Sequence, residues 1–187
     1  EASGNVVSNN HVYDYSNNPS LGSSNMGISL GRGDGVFSMG DVAEHNLVHG
    51  GKYAGGFIYG GMDNKVQYNE IYNVITDTQD AGAIYAGRRF SEYGNLVAYN
   101  YIHDFSFKYS QRYANRAIYW DDYQSGQTAV GNIIVADSSE NTAGILTIGA
   151  DNVIRGNILV NIKPGITLGD RLDWVSNFAP GNESYDS

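Results

Sequence analysis

The chain has 187 residues, a formal net charge of −9, no cysteine, 15 Tyr and 24 Gly. No basic stripe is available to neutralise phosphates, which excludes nucleic acid and anionic membranes as partners. The missing cysteine excludes a disulfide framework or a thiolate metal site. No stretch reaches the ~20 apolar residues of a membrane-spanning helix, and no signal-peptide pattern is read.

In chain order, the first element opens at Gly4 with a register that returns at Gly40, Asp63, Gly94, Gly126 and Asp151. It reads Gly or Asp, a polar residue, a free position, an apolar residue, two free positions, Asn, a free position, an aliphatic residue. The Asn positions are Asn10, Asn46, Asn69, Asn100, Asn132 and Asn157. The apolar positions are Val7, Ala43, Val66, Val97, Ala129 and Ile154, then Val12, Val48, Ile71, Ile102, Ile134 and Leu159. Successive Asn are 36, 23, 31, 32 and 25 residues apart. A constant short motif with variable spacers predicts a solenoid whose coils bulge on one side. Each register reads as a strand, a bend at the Asn, and a second strand, with alternate side chains inward. Asn suits the bend because it tolerates a left-handed backbone. Stacked at about 4.8 Å per coil, the Asn side chains can bond one another along an internal ladder. The Asn-Gly signals that separate hairpins would need are absent.

After each Asn strand comes another recurring segment, opening at Gly27, Gly56, Gly82, Arg116, Gly144 and Gly165. Aligned this way, Tyr59, Tyr85 and Tyr119 share one position on three successive coils. The expected fold is all-β, a single-stranded right-handed parallel β-helix of about six coils. It occupies residues 1–187 as one domain, and its uncapped pattern reads as a piece of a longer chain.

Two segments break the plain repeat. One is Asp80-Ala81-Gly82-Ala83-Ile84-Tyr85-Ala86-Gly87-Arg88-Arg89. One coil later stands Arg116-Ala117-Ile118-Tyr119-Trp120-Asp121-Asp122. Together these motifs resemble bacterial right-handed parallel β-helix proteins of the pectin-lyase-like superfamily, and among them glycoside hydrolase family 141. The similarity runs over roughly residues 60 to 175, including Arg171-Leu172-Asp173-Trp174. It implies a secreted or periplasmic enzyme acting on plant-type or other complex polysaccharide, fucosidase- or xylanase-like. By motif its catalytic pair falls on Asp80 and Asp121. Glycoside hydrolysis needs two carboxyls, one protonated and one ionised. No cofactor and no metal are implied.

The residues themselves add Arg88, Asp122, Tyr85, Tyr119 and Trp120 as lining of the cleft. Tyr and Trp offer flat apolar faces for sugar rings, and Arg88 or Arg89 can fork onto a carboxylate or orient an aspartate. Spacing raises an objection. With Ile84 beside Ile118, Asp80 lies four residues before that level and Asp121 three after it. Seven extended residues span up to ~23 Å, against the ~5 to 9.5 Å of a glycosidase pair. Either the chain turns sharply at Asp80, or Asp121 works with Asp122, Arg88 and Asp170.

The His residues, His11, His45, His49 and His103, share no metal-ligand spacing. His49 and His103 sit at the same repeat position as Tyr13 and Tyr72, which predicts an outward decoration. Trp174 is expected to cover the end of the rod, and the insertion Asp104 to Asn115 to wall the site. Two other functions compete with hydrolysis: a polysaccharide lyase on the same fold, and a non-catalytic carbohydrate-binding or adhesin rod.

Overall fold

The structure is a computed structural model and describes residues 2–19, 25–31, 37–105, 114–137 and 142–169. Eighteen of its strands stack into three parallel sheets of six, with one strand per coil in each, and Ala2–Ser3 and Ser38–Met39 form a further two-stranded parallel sheet. The protein is a parallel β-helix. Among the described residues no helix is long and apolar enough to cross a membrane.

The first sheet runs from Val6–Ser8 through Val42–Glu44, Lys65–Gln67, Leu96–Ala98 and Thr128–Val130 to Val153–Arg155. Its central residues align as Val7, Ala43, Val66, Val97, Ala129 and Ile154. The second sheet begins at His11–Tyr13 and ends at Ile158–Val160. There Val12, Val48, Ile71, Ile102, Ile134 and Leu159 align. Both rows point inward, and their middle members are fully buried, Ile71, Val97, Ile102 and Ile134 among them. Ile154 and Leu159, in the last described coil, are partly buried against this core.

Between the two sheets the Asn ladder forms as the register predicts. Each Nδ2 donates to the Oδ1 of the next Asn from Asn10 to Asn157, at 2.9 to 3.0 Å. The other Nδ2 hydrogen of Asn46, Asn69, Asn100, Asn132 and Asn157 goes to the carbonyl of Val7, Ala43, Val66, Val97 and Ala129. One detail differs from expectation. The left-handed residue is not the Asn but the one before it: Asn9, His45, Tyr68, Tyr99, Gly131 and Gly156 all have positive φ. The bend turns the Asn side chain inward, where both ends of its amide are used.

The register starts Gly4, Gly40, Asp63, Gly94, Gly126 and Asp151 also have positive φ, which is why Gly or Asp stands there. The polar residue after each start builds a second ladder at the opposite end of the first sheet. Its rungs include Asn5 on Asp41, Asp41 on Asn64, Asn64 on Asn95 and Gln127 on Asn152.

In the third sheet Ile28, Phe57, Ile84, Ile118, Ile145 and Ile166 align. This corrects the expected lineup of tyrosines. Tyr85 pairs with Tyr119 on one side and with Ile58 on the other, whereas Tyr59 pairs with Leu30. A one-residue shift moves a side chain to the other face of a strand. Tyr59 therefore lies inside, 1 % exposed, and Tyr85 and Tyr119 lie outside the core.

The outer face of the second sheet carries a row of flat rings. Tyr13, His49, Tyr72 and His103 stack in sequence, with centroids 5.7, 4.5 and 5.0 Å apart. His45, Tyr68 and Tyr99 form a shorter stack at the neighbouring corner.

Candidate active site

The site lies outside the core on the third sheet, where strands Gly82–Ala86 and Asn115–Trp120 run side by side. Tyr85 and Tyr119 project outward together, their rings edge to face at 5.4 Å. Glycines make this possible. A Cβ at Gly82 would stand 2.8 Å from the Cβ of Tyr119, and one at Gly87 would stand 2.6 Å from the Cβ of Asp121.

After Trp120 the chain turns, and Asp121 points back along the outer face. Both of its oxygens are filled. Oδ1 accepts from the Tyr119 hydroxyl at 2.9 Å and the Asp122 N–H at 2.8 Å. Oδ2 accepts from the Tyr85 hydroxyl at 2.9 Å and from Arg88 Nε at 3.1 Å. Asp121 is 3 % exposed. Burial, the largest single influence, opposes its ionisation. The Asp122 N–H, the Arg88 charge and the two hydroxyls together outweigh it and hold the carboxyl below the usual carboxylate range. Burial and the Asp121 charge both push the Tyr119 hydroxyl up, so it keeps its proton.

Asp80 approaches from the other side. It sits in a turn with φ of 55°, and this turn resolves the spacing objection: the chain doubles over the outer face instead of running on extended. Asn115, fully buried, fixes the turn. Its Nδ2 donates to the carbonyls of Ile75 and Thr78, and its Oδ1 accepts from the N–H of Ala81. Asp80 Oδ1 accepts from Arg116 Nη1 at 2.7 Å and meets the Tyr119 hydroxyl at 3.4 Å. The Arg116 guanidinium lies over the Tyr119 ring at 4.4 Å. One hydroxyl thus touches both aspartates, so their nearest oxygens are separated by no more than the sum of 2.9 and 3.4 Å.

Beneath the site a buried polar network anchors the turn. Trp120 Nε1 donates to the Tyr59 hydroxyl at 2.7 Å, which donates to Gln127 Oε1 at 3.2 Å. Gln124 Nε2 donates to Glu92 Oε2 at 3.3 Å, and Glu92 is 2 % exposed.

The structure therefore gathers Asp80, Asp121, Arg88, Tyr85 and Tyr119 in one place, with Asp122 at the edge, 3.9 Å from Arg88 Nε. Trp120 is not among them. It follows Tyr119 on the strand, so it faces the interior and is fully buried. Neither Asp121 nor Asp122 is exposed. Arg89 leans away, toward Glu92 and the Phe37 ring. Phe105 fills the core rather than walling the site; residues 106–113, Asp170 and Trp174 lie outside the described residues. Arg116 and Asn115 belong to the site and were not singled out from sequence. Among the described residues no three His, Asp or Glu side chains converge as a metal set. No protein-family model matches the chain, and neither the curated proteins nor the solved structures hold a match to it.

Proposed function

We propose that the protein is a glycoside hydrolase acting, outside the cell or in the periplasm, on plant-type or other complex polysaccharide. The observation that carries this reading is the Tyr119 hydroxyl spanning Asp80 and Asp121, which brings two carboxyls within the range that glycoside hydrolysis uses. The two have different surroundings, and such differences divide acid from base roles. Asp121, saturated with donors, is the ionised member that faces positive charge developing at the sugar. Asp80, whose side chain is 46 % exposed and ion-paired with Arg116, is the second carboxyl of the pair. Arg116 positions Asp80. Tyr85 and Arg88 line the approach to Asp121, and the sugar displaces one of their bonds as it arrives.

Turnover on a panel of plant glycans and aryl glycosides tests this. Asp80→Asn and Asp121→Asn should each lower turnover at least about a hundredfold while circular dichroism stays that of the parent. Full activity in Asp121→Asn ends the reading.

One observation favours a second reading, a carbohydrate-binding rod without catalysis. All four donors on Asp121 are satisfied within the chain, as suits a carboxylate that only holds neighbours in place. Saturable glycan binding without turnover on that panel would select it.

A further inference from the structure

Away from the acid pair, His11 and His49 present Nε2 atoms only 2.7 Å apart. They come from strands one coil apart and are offset by two residues, since His11 pairs with Leu47 and His49 with Tyr13. The two are 38 residues apart in sequence, which is why no ligand spacing is visible there. Both rings are held by aromatic contacts. His49 lies between Tyr13 and Tyr72, and His11 packs on Tyr13 at 4.7 Å. Neither ring makes another hydrogen bond among the described residues.

We infer that this pair is a two-imidazole clamp for a first-row transition ion of the Zn2+ or Cu2+ type. Neutral imidazole nitrogens suit these ions. Two zinc–nitrogen bonds at a tetrahedral angle place the nitrogens about 3.3 Å apart. The rings need to open by only a fraction of an ångström, and water completes the coordination. Contacts with tyrosine rings hold both imidazoles before the ion arrives, so little side-chain freedom is lost on binding. The other two histidines lack this arrangement. His103 has both nitrogens engaged, by Asp104 at 2.8 Å and Glu70 at 3.3 Å, and His45 stacks on Tyr68 with no second imidazole beside it.

Calorimetric titration of the purified chain with Zn2+, and in parallel with Cu2+, tests the clamp. At pH 7.5 one saturable site is expected. His11→Gln and His49→Gln should each weaken it at least tenfold, while His45→Gln and His103→Gln leave it unchanged. Imidazole Cε1–H resonances of His11 and His49 should shift with the ion and those of His45 should not, a readout independent of any loss of fold in the variants. No saturable binding of either ion at pH 7.5, or binding that survives both His11→Gln and His49→Gln, overturns the inference.

Discussion

Asp121 is charged in a place where burial alone would neutralise it, and the four donors around it decide the outcome. The consequence for stability has a definite sign. A carboxyl whose folded pKa lies below its unfolded value, near 3.9, stabilises the fold above that pH and loses the contribution as pH falls through the folded pKa. Asp121→Asn should therefore be less stable than the parent by roughly 1 to 3 kcal/mol near pH 6. The gap should narrow below about pH 4, as urea midpoints measured across that range would show. At this scale the sequence was informative where residue type and motif coincided: Asp80, Tyr85, Arg88, Tyr119 and Asp121 do meet. Trp120 offers suitable ring chemistry at a position that turns it away from the site. On a strand, the neighbour of an outward Tyr119 must face inward. The roles of Arg116 and Asn115 are not legible in the sequence because each acts across the coil boundary, on a turn 34 to 40 residues earlier.

At the scale of the element, the third sheet shows how narrowly the site is fitted. Gly82→Ala would put a methyl 2.8 Å from both the Tyr119 Cβ and the Ile84 carbonyl oxygen. Overpacking of this kind costs about 1 to 3 kcal/mol, and it should displace Tyr119 from Asp121. A lower melting temperature together with changed Tyr119 ring resonances would check it. The ladder offers a cleaner case. Asn100→Ala removes donors to Val66 and Asn132 and an acceptor for Asn69 in a buried site, and should cost on the order of 1 to 3 kcal/mol in chemical denaturation. The ladder was legible because its Asn recurs at a fixed offset from a Gly or Asp. The third-sheet register was not. Its segments have glycines at either of two adjacent positions, Gly55 and Gly56 for example, and only the pairing across coils selects between them.

Taken as a whole, the molecule is close to one-dimensional: in the three six-stranded sheets strands pair only with those of the coils before and after, so stability is built largely from neighbour contacts. The Trp120–Tyr59–Gln127 network is an exception that reaches across coils. A core residue with a neighbour on both sides matters more than one in the last described coil. Ile102→Ala, fully buried, should cost about 2 to 5 kcal/mol, and Leu159→Ala, partly buried, clearly less. Hydrogen exchange should likewise be slowest in the middle coils. The six-coil architecture was readable because repetition states it six times, whereas the site is stated once.

The Asn row has a direction. Every carboxamide from Asn10 to Asn132 gives a hydrogen to the Asn of the higher-numbered coil, and every one from Asn46 to Asn157 receives from the Asn of the lower-numbered coil. The amide dipoles are thus aligned head to tail, and the rod has electrical polarity along its axis. Slow deamidation, which turns Asn into Asp, would consequently act unequally along the row. An aspartate can receive from the coil before it but has nothing to give to the coil after it. At Asn100 it would set a buried carboxylate against the Asn132 and Val66 oxygens. At Asn157 it would still receive from the Asn132 N–H and side chain and would forfeit only its bonds to the Ala129 and Arg155 carbonyls. Asn100→Asp should therefore lower the denaturation midpoint well beyond Asn157→Asp, so that the chemical ageing of this rod depends on which rung it reaches.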